Sequence, residues 1–165
     1  MLKTRLTEKF SLTCPIIQAP MALVSGGELA AAVSAAGGLG MIGGGYGDAG
    51  WLARAFDAAG NAPVGCGFIS WALARAPHLL DQVLQRQPRA IFLSFGDPAP
   101  FAAKIRDAGA ALICQVQCLD HARAAIDARA DVLVAQGAEA GGHGHTRGTM
   151  TLVPEVADLL AGRAP

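Results

Sequence analysis

Short segments of almost continuously apolar residues recur along the chain, and longer segments with a helical pattern of apolar positions separate them. The apolar segments lie at residues 16–19, 39–42, 64–69, 90–93, 111–116 and 132–135. Strands that are covered on both faces have this character, because neither face needs polar side chains. The helical patterns lie at residues 28–36, 51–59, 77–87, 99–108, 119–128 and 153–160. This order predicts buried parallel strands that are each followed by a helix.

The spacing of the predicted strands indicates an α/β fold. Successive strands begin roughly 20 to 26 residues apart, which is typical of βα units in a (β/α)8 barrel or in an open doubly wound sheet. The chain has 165 residues, whereas a closed (β/α)8 barrel typically takes about 250. We therefore expect one domain over residues 1–165 with about six βα units. It is either an open sheet or a barrel without its last strands.

A glycine motif at residues 38–43 matches the pattern GxGxxG that binds dinucleotides. The mechanism of that motif requires the glycines to follow a strand and to open a helix. Here they follow the predicted helix 28–36 and lead into the predicted strand 39–42. We interpret them as a helix end and a tight turn, and we exclude a Rossmann fold.

Composition and charge narrow the class of protein. Apolar residues make up 52% of the chain and charged residues 16%, which predicts a packed core. Thirteen basic residues balance 13 acidic ones without a basic block, so neither nucleic acid nor an anionic membrane is an expected partner. The N-terminal residues lack the apolar stretch of a signal peptide, and the four dispersed cysteines are expected to be reduced core residues. These features predict a cytoplasmic location.

The residues that follow the predicted strands are glycines and amides rather than charged groups. In both α/β architectures, ligands bind beyond the carboxyl ends of the strands. Those positions hold Gln-Ala-Pro-Met at 18–21, a glycine cluster at 43–47, Gln115, and the segment 136–145, which reads QGAEAGGHGH. Glycines let a backbone approach a flat ligand closely, and glutamines hydrogen-bond its heteroatoms. This rim favours a neutral planar cofactor over a metal or a sugar.

The histidines differ in their expected roles. His143 follows two glycines near a strand end, where an imidazole could exchange protons near neutral pH, so it is the candidate general base. A structural loop histidine is the alternative. His143 and His145 form an HxH pair, but we predict no metal site because only Glu139 lies nearby at ligand spacing. We expect Glu139 to interact with a helix start and expect His78 and His121 to be solvated.

Three segments together resemble the nitronate monooxygenase family, formerly called 2-nitropropane dioxygenases. They are Gln-Ala-Pro-Met at 18–21, the helix-to-strand run at 30–40, and QGAEAGGH at 136–143. The resemblance implies an FMN-dependent TIM barrel, here a (β/α)8 barrel truncated to about six βα units. It implies that His143 is the catalytic base. It also implies FMN contacts from Ala19, Pro20, Met21, Gln115, Gln136, Gly141 and Gly142.

The resemblance implies a reaction but leaves alternatives open. In this family a nitroalkane or its nitronate is oxidised with O2 to a carbonyl compound and nitrite. Flavin-dependent enoyl-acyl-carrier-protein reductases and some NADH:quinone reductases share the same pattern, so they are the enzymatic alternatives. An inactive half-barrel that acts only as a subunit or interaction module is the alternative of another class. Assembly with a second chain, including a homo-oligomer, is also left open.

The sequence departs from the family pattern in two places. Many relatives carry an asparagine that contacts FMN after the third strand, where this chain has Gly67. The last two strands of the family barrel, whose loops hold the FMN phosphate, have no counterpart in this sequence. We therefore expect a barrel that lacks its main phosphate-binding loops.

Overall fold

The computed structural model describes residues 2–162; residue 1 and residues 163–165 of the predicted domain lie outside the described part. Five parallel strands form one sheet in the order β1-β2-β3-β4-β5. Their bounds are β1 Met41–Gly45, β2 Gly65–Ile69, β3 Ala90–Ser94, β4 Ala111–Val116 and β5 Val132–Ala135. A doubly wound sheet reverses its order at a switch point. The strictly consecutive order is that of a barrel wall instead.

The predicted strand at residues 16–19 is wrong in extent. It forms a single parallel bridge between Ile17 and Leu39, beside the start of β1. The bridge has two backbone bonds: Gln18 N–H donates to Leu39 C=O at 3.0 Å, and Leu39 N–H donates to Ile16 C=O at 2.9 Å. Pro15 and Pro20 bracket this segment. Because proline has no N–H to donate to a sheet, the pairing stops after one bridge.

Helices connect the strands and follow the predicted pattern with local differences. Their bounds are α1 Arg5–Phe10, α2 Gly27–Ala35, α3 Ala49–Ala59, α4 Ser70–Leu73, α5 His78–Leu84, α6 Ala99–Asp107, α7 Leu119–Asp127 and α8 Thr149–Ala161. The sequence pattern did not predict the short helices α1 and α4. The last helix begins at Thr149 rather than at residue 153, so Pro154 lies inside it.

The glycine motif at 38–43 follows α2 and runs into β1, which confirms the helix-to-strand context and the exclusion of a Rossmann motif. Gly40 packs directly against α2, where a Cβ at this position would lie 1.8 Å from Ala30 C=O. This glycine therefore serves the close approach of a helix to a strand.

The two faces of the sheet carry separate apolar clusters. Alternate strand residues such as Ile91 and Leu93 pack towards the helices. Ala90 and Phe92 belong to a smaller cluster on the other face, together with Phe10 of α1. All residues of β1 and β3 are buried, whereas all residues of β5 are half-buried. Within residues 2–162, β5 pairs only with β4, so it forms an edge of the sheet.

The four cysteines are free thiols. Burial raises the pKa of the Cys66 thiol far above its ordinary value, and it raises the pKa of Cys114 to about 12. Both therefore remain protonated and pack as small apolar side chains. Cys14 and Cys118 are only half-buried, so the prediction of core positions is confirmed for two of the four.

Within residues 2–162, no helix combines the length and the apolar character that a membrane span would need.

Candidate functional site

A cavity of about 620 Å³ opens where the strands end, and the predicted cofactor residues line it. Three distant parts of the chain contribute to its wall: the segment after the Ile17 bridge, the end of β4, and the segment after β5. The predicted residues on the wall are Ala19, Pro20, Met21, Gln115, Gln136, Gly141 and Gly142. Its volume lies in the range of sites for small molecules and cofactors.

The loop that contains Ala19, Pro20 and Met21 lies across the inner face of β1 and β2. Two strand glycines make room for it. A Cβ at Gly67 would lie 2.3 Å from the Pro20 ring, and a Cβ at Gly43 would lie 2.2 Å from Met21 C=O. Real side chains do not approach that closely, so the loop can occupy this position only over glycines. Pro20 thus fills the space that a side chain at position 67 would take.

Ser25 holds this loop in shape, and the sequence analysis missed it. Its side chain is fully buried. The hydroxyl donates to Ala19 C=O at 2.8 Å and accepts from Met21 N–H at 3.1 Å. Its own C=O accepts from Gly43 N–H at 2.9 Å, which ties the loop to β1. A serine four residues beyond a motif gives no local signal for this role.

Three glutamine amides meet at the ends of β4 and β5. Gln136 Oε1 lies 2.6 Å from Gln115 Nε2 and 2.6 Å from Gln117 Nε2, so it accepts two hydrogen bonds. Gln115 and Gln136 line the cavity, whereas Gln117 is only 4% exposed. Gln117 is the second residue that the sequence analysis did not identify. It lies two residues after Gln115 and directly beyond the predicted strand at 111–116, so a continued strand alternation would have suggested the same face.

Gln18 contributes a further amide to the cavity wall. Its Oε1 accepts weakly from Met41 N–H at 3.4 Å. Its Nε2 is buried and has no hydrogen-bond partner among the described residues. Buried donors without a partner are rare because the lost hydration is not replaced. This donor indicates a wall built to meet a polar atom that the chain itself does not supply.

Glu139 caps helix α8, as predicted for a carboxylate near a helix start. Its Oε2 accepts from Thr149 N–H at 2.9 Å and from the Thr149 hydroxyl at 2.8 Å. The hydrogen bond from Thr149 N–H is the main reason that the pKa of Glu139 is lowered. The cap also explains why α8 begins at Thr149. The Glu139 carboxylate thus binds the amino end of α8 and does not orient an imidazole.

His143 lies beside the cavity and not on its wall. It is exposed, and its ring meets the Phe95 ring edge-on, with 5.8 Å between the ring centroids. Gly141 and Gly142, the residues immediately before it, line the cavity. Gly142 has a φ of 81°, a conformation that favours glycine. The loop therefore places His143 directly after two residues of the cavity wall.

The other histidines lie outside the cavity wall. The His145 ring is 6.1 Å from the His121 ring, near the start of α7. His78 and His121 are exposed near helix starts, as predicted. Within residues 2–162, no group of three or more metal-ligating side chains occurs.

The cavity fits the ring system of a flavin but not its phosphate. Pro20, Met21, Phe92 and Val134 give it apolar surfaces, and the glutamines supply hydrogen-bonding groups. No arginine or lysine is among the described residues that line it. A neutral heterocycle matches such a wall, whereas a phosphate needs cations or free N–H groups. The amino end of α8 does not supply these, because Glu139 caps it.

A second cavity, of about 470 Å³, lies at the opposite end of the sheet. Each charged side chain there has a partner in the chain. Lys9 Nζ lies 2.7 Å from Asp131 Oδ1, Arg89 donates to Phe10 C=O at 2.9 Å, and Arg106 donates to Ala128 C=O at 2.6 Å. These groups join α1 and the helix ends to the strand starts, so this cavity is a structural junction.

Comparison with known proteins places the chain in a family. The profile of the family described as nitronate monooxygenase matches residues 3–65 and 72–162. The chain is 34% identical to a nitronate monooxygenase of Neurospora crassa over 88% of its length. It is 30% identical, over 98% of its length, to a 5-hydroxy-7a-methyl-1-oxo-octahydro-indene-4-carboxyl-CoA dehydrogenase of Mycobacterium tuberculosis. The chain belongs to the nitronate monooxygenase family.

Comparison with solved structures supports the fold that was predicted from the sequence. FabK from Thermotoga maritima superposes with a TM-score of 0.87 at 30% identity, over 96% of this chain and 51% of that one. Nitroalkane oxidase from Streptomyces ansochromogenes gives a TM-score of 0.78 at 27% identity, over 94% of this chain and 58% of that one. These likenesses and the consecutive strand order confirm the predicted barrel-type α/β fold. The chain spans about half the length of the curated relatives it matches.

Proposed function

We propose that this chain carries the flavin-ring site of an FMN-dependent nitronate monooxygenase. The observation that carries the proposal is the convergence of three distant segments on one cavity, with His143 directly after two residues of its wall. Family membership supports oxidoreductase chemistry. Ala19, Pro20 and Met21 would lie along the flavin ring, Gln115, Gln136 and Gly141 would contact it, and Gly142 would leave it room.

The chain's own residues would prepare the substrate. A ring nitrogen of His143 removes the α-proton of a neutral nitroalkane, and the electron pair of the broken C–H bond moves onto the nitro group. The products of this step are a nitronate and an imidazolium. The chemistry that bound FMN supplies is electron transfer between the nitronate and dioxygen, which yields a carbonyl compound and nitrite. A substrate that enters as a nitronate needs no base.

The rim of the cavity supports an organic substrate. Met21 lines the cavity and is 49% exposed. Leu23 and Tyr46 border an adjoining cavity of about 150 Å³ and are also exposed. Exposed apolar groups beside a ligand cavity favour an apolar ligand.

We also propose a cytoplasmic location, which the free cysteines support.

The visible absorption spectrum of the purified 165-residue chain tests this proposal. FMN is added, unbound FMN is removed by desalting, and the retained flavin is measured. A retained flavin band is expected, together with nitrite release when a nitronate and O2 are supplied. A colourless protein would overturn the proposal for this chain and would favour an inactive half-barrel that works only as a subunit.

Reduction of the retained flavin separates the enzymatic alternatives. Under anaerobic conditions, a nitronate should bleach the flavin band. Bleaching by NADH instead would favour an enoyl-acyl-carrier-protein reductase or an NADH:quinone reductase. The similarity to a carboxyl-CoA dehydrogenase is the observation that favours testing an acyl substrate as the alternative to a nitronate.

A further inference from the structure

We propose that Gln117 fixes the direction of the Gln136 amide, so that Gln136 offers its NH2 group and Gln115 offers its carbonyl oxygen to the ligand. Gln117 is then a positioning residue that never touches the ligand itself. The inference rests on the proposed flavin site for the identity of the ligand. The hydrogen bonds among the three amides involve residues of the chain alone.

The register of the sheet brings the three glutamines together. In β4, Gln115 pairs with Val134 of β5 and Val116 pairs with Ala135. Gln136 N–H continues the pairing by donating to Val116 C=O at 2.9 Å. Side chains two residues apart in extended backbone point to the same face. Gln115 therefore lies on the same face as Gln136, and the amide of Gln117, the residue that follows β4, also reaches the Gln136 side chain.

Both bonds of this group end on a single oxygen. Gln136 Oε1 accepts from Gln115 Nε2 and from Gln117 Nε2, each at 2.6 Å. A carbonyl oxygen has two lone pairs, so its capacity is filled. While Gln115 and Gln117 donate, a turned Gln136 amide would present its NH2 group to two other NH2 groups, and both neighbouring donors would lose their acceptor. The direction of the Gln136 amide therefore depends on the direction of its two neighbours.

The groups that remain free form a donor and an acceptor side by side. Gln136 Nε2 makes no hydrogen bond to the described residues, and Gln115 Oε1 accepts none from them. Both side chains belong to the cavity wall. A ring edge that carries a carbonyl oxygen next to an N–H complements this pair, because the carbonyl accepts from Gln136 and the N–H donates to Gln115. The pyrimidine part of a flavin has such an edge.

Gln117 is the member whose contribution can be separated from ligand contact. It is 4% exposed and absent from the cavity wall, whereas Gln115 and Gln136 lie on it. Replacing Gln117 with glutamate puts an acceptor where a donor was. The Gln136 amide is then expected to turn so that its NH2 group donates to the new carboxylate. After this turn, Gln136 would present its Oε1, not its NH2 group, to the ligand. Gln117→Met removes the donor without supplying an acceptor.

The first experiment tests the orientation of the Gln136 amide in the protein without any ligand. Side-chain NH2 signals of Gln136 are recorded by NMR in the wild type and in Q117E, and they are assigned by their loss in Q136L. In Q117E, the Gln136 signals should move and become protected from exchange with water, because the group now donates inside the protein. Unchanged Gln136 signals in a folded Q117E protein would overturn the inference.

The second experiment measures FMN affinity by fluorescence quenching. Q117E should bind FMN at least roughly tenfold more weakly, which corresponds to about 1.4 kcal/mol, and Q117M should bind it severalfold more weakly. Gln85→Glu, an exposed position at the end of α5, is the control for added charge and should leave affinity unchanged. Equal affinities for wild type, Q117M and Q117E would overturn the inference. If the wild type binds no FMN, the proposed function fails, and the NMR comparison alone decides the orientation of the amide.

Discussion

The two ends of the sheet hold cavities of comparable size that differ in what their polar groups do. At the strand starts, Lys9, Arg89 and Arg106 are all bonded to other parts of the chain. At the strand ends, the wall has no cation among its described residues, and Gln18 Nε2 has no hydrogen-bond partner within residues 2–162. Charges that are satisfied internally stabilise the fold. Neutral amides with free donors and acceptors are available to a ligand, whereas charge density alone would have pointed to the cavity at the strand starts.

The largest expected effect is the loss of turnover on substitution of His143, which lies beside the cavity. His143→Ala should lower the turnover of neutral nitroalkanes by roughly 100-fold to 10,000-fold, because general-base catalysis contributes about that much. Turnover of preformed nitronates and retention of FMN should change little. Steady-state nitrite release with both substrates measures the difference. His145→Ala is the matched control, and an equal loss in both variants would contradict the assignment of His143 as the base.

A clash beneath the loop at residues 19–21 should abolish FMN binding by a different route. Gly67→Ala would place a Cβ 2.3 Å from the Pro20 ring, so the loop must move. We expect a loss of about 1–3 kcal/mol in the free energy of unfolding together with loss of bound FMN. Urea unfolding and the flavin spectrum measure the two effects.

Gly50→Ala in α3 is the control for the Gly67 variant, since a Cβ there meets only the ends of flexible side chains. It should leave FMN binding intact. If Gly67→Ala kept its flavin at full affinity, the loop would not depend on the close approach to β2.

At the opposite end of the sheet, Asp131→Asn should lower stability without affecting FMN. Asp131 accepts from Lys9 Nζ at 2.7 Å and from Leu112 N–H at 2.8 Å. Desolvation would raise its pKa, but these hydrogen bonds outweigh it and hold the pKa below the ordinary value. The variant should lose about 1–2 kcal/mol in the free energy of unfolding at neutral pH.

The pH dependence of the Asp131 effect has a defined sign. A carboxyl group whose pKa is lowered in the folded state stabilises the protein above its unfolded-state pKa, and this contribution is lost as the pH falls through the folded-state pKa. The stability difference between wild type and variant should therefore shrink below about pH 4. Asp81→Asn, which breaks an exposed pair with Lys104, is the control and should cost less than about 1 kcal/mol. A fall in FMN affinity in Asp131→Asn would contradict the view that the cavity at the strand starts serves only the fold.

A smaller effect on FMN binding than that of Gly67→Ala is expected at Ser25. Ser25→Ala removes the hydroxyl that bridges Ala19 and Met21, so stability should fall by about 1–2 kcal/mol and FMN should bind severalfold more weakly. Ser34→Ala is a close control, because the Ser34 hydroxyl also donates to a C=O and accepts from an N–H, both at 3.1 Å, but away from the cavity. Equal effects of the two substitutions on FMN affinity would show that Ser25 supports only the fold.

Much of the fold could be predicted from the sequence because burial leaves a local pattern. Continuous apolar segments marked β1 to β5, and the glycines at 38–43 marked a turn into a strand. The segment at 16–19 had the same apolar pattern but forms one bridge, because its flanking prolines limit pairing. Helix α8 began earlier than its pattern suggested, since its cap comes from Glu139, ten residues away.

The candidate site was predictable in part for a related reason. Parallel strands bring their carboxyl ends to one edge, so residues that follow strands can be assigned to one rim before their contacts are known. That rule, together with the family resemblance, found Gln115, Gln136 and the loop at 19–21. It could not find Ser25 or Gln117, whose roles depend on hydrogen bonds to residues that lie close only after folding.

The order of apolar and polar residues was thus sufficient to determine the βα succession and to predict the candidate site at the strand ends, and the two glycines before His143 marked that residue as the candidate base. Tertiary structure decided that the strands follow one another in a barrel wall, that Pro20 rests on Gly67, and that Gln136 accepts two amide bonds. The physical reason is that a local pattern records whether a side chain is buried. Which partner it meets depends on register and loop path, which exist only in the folded chain.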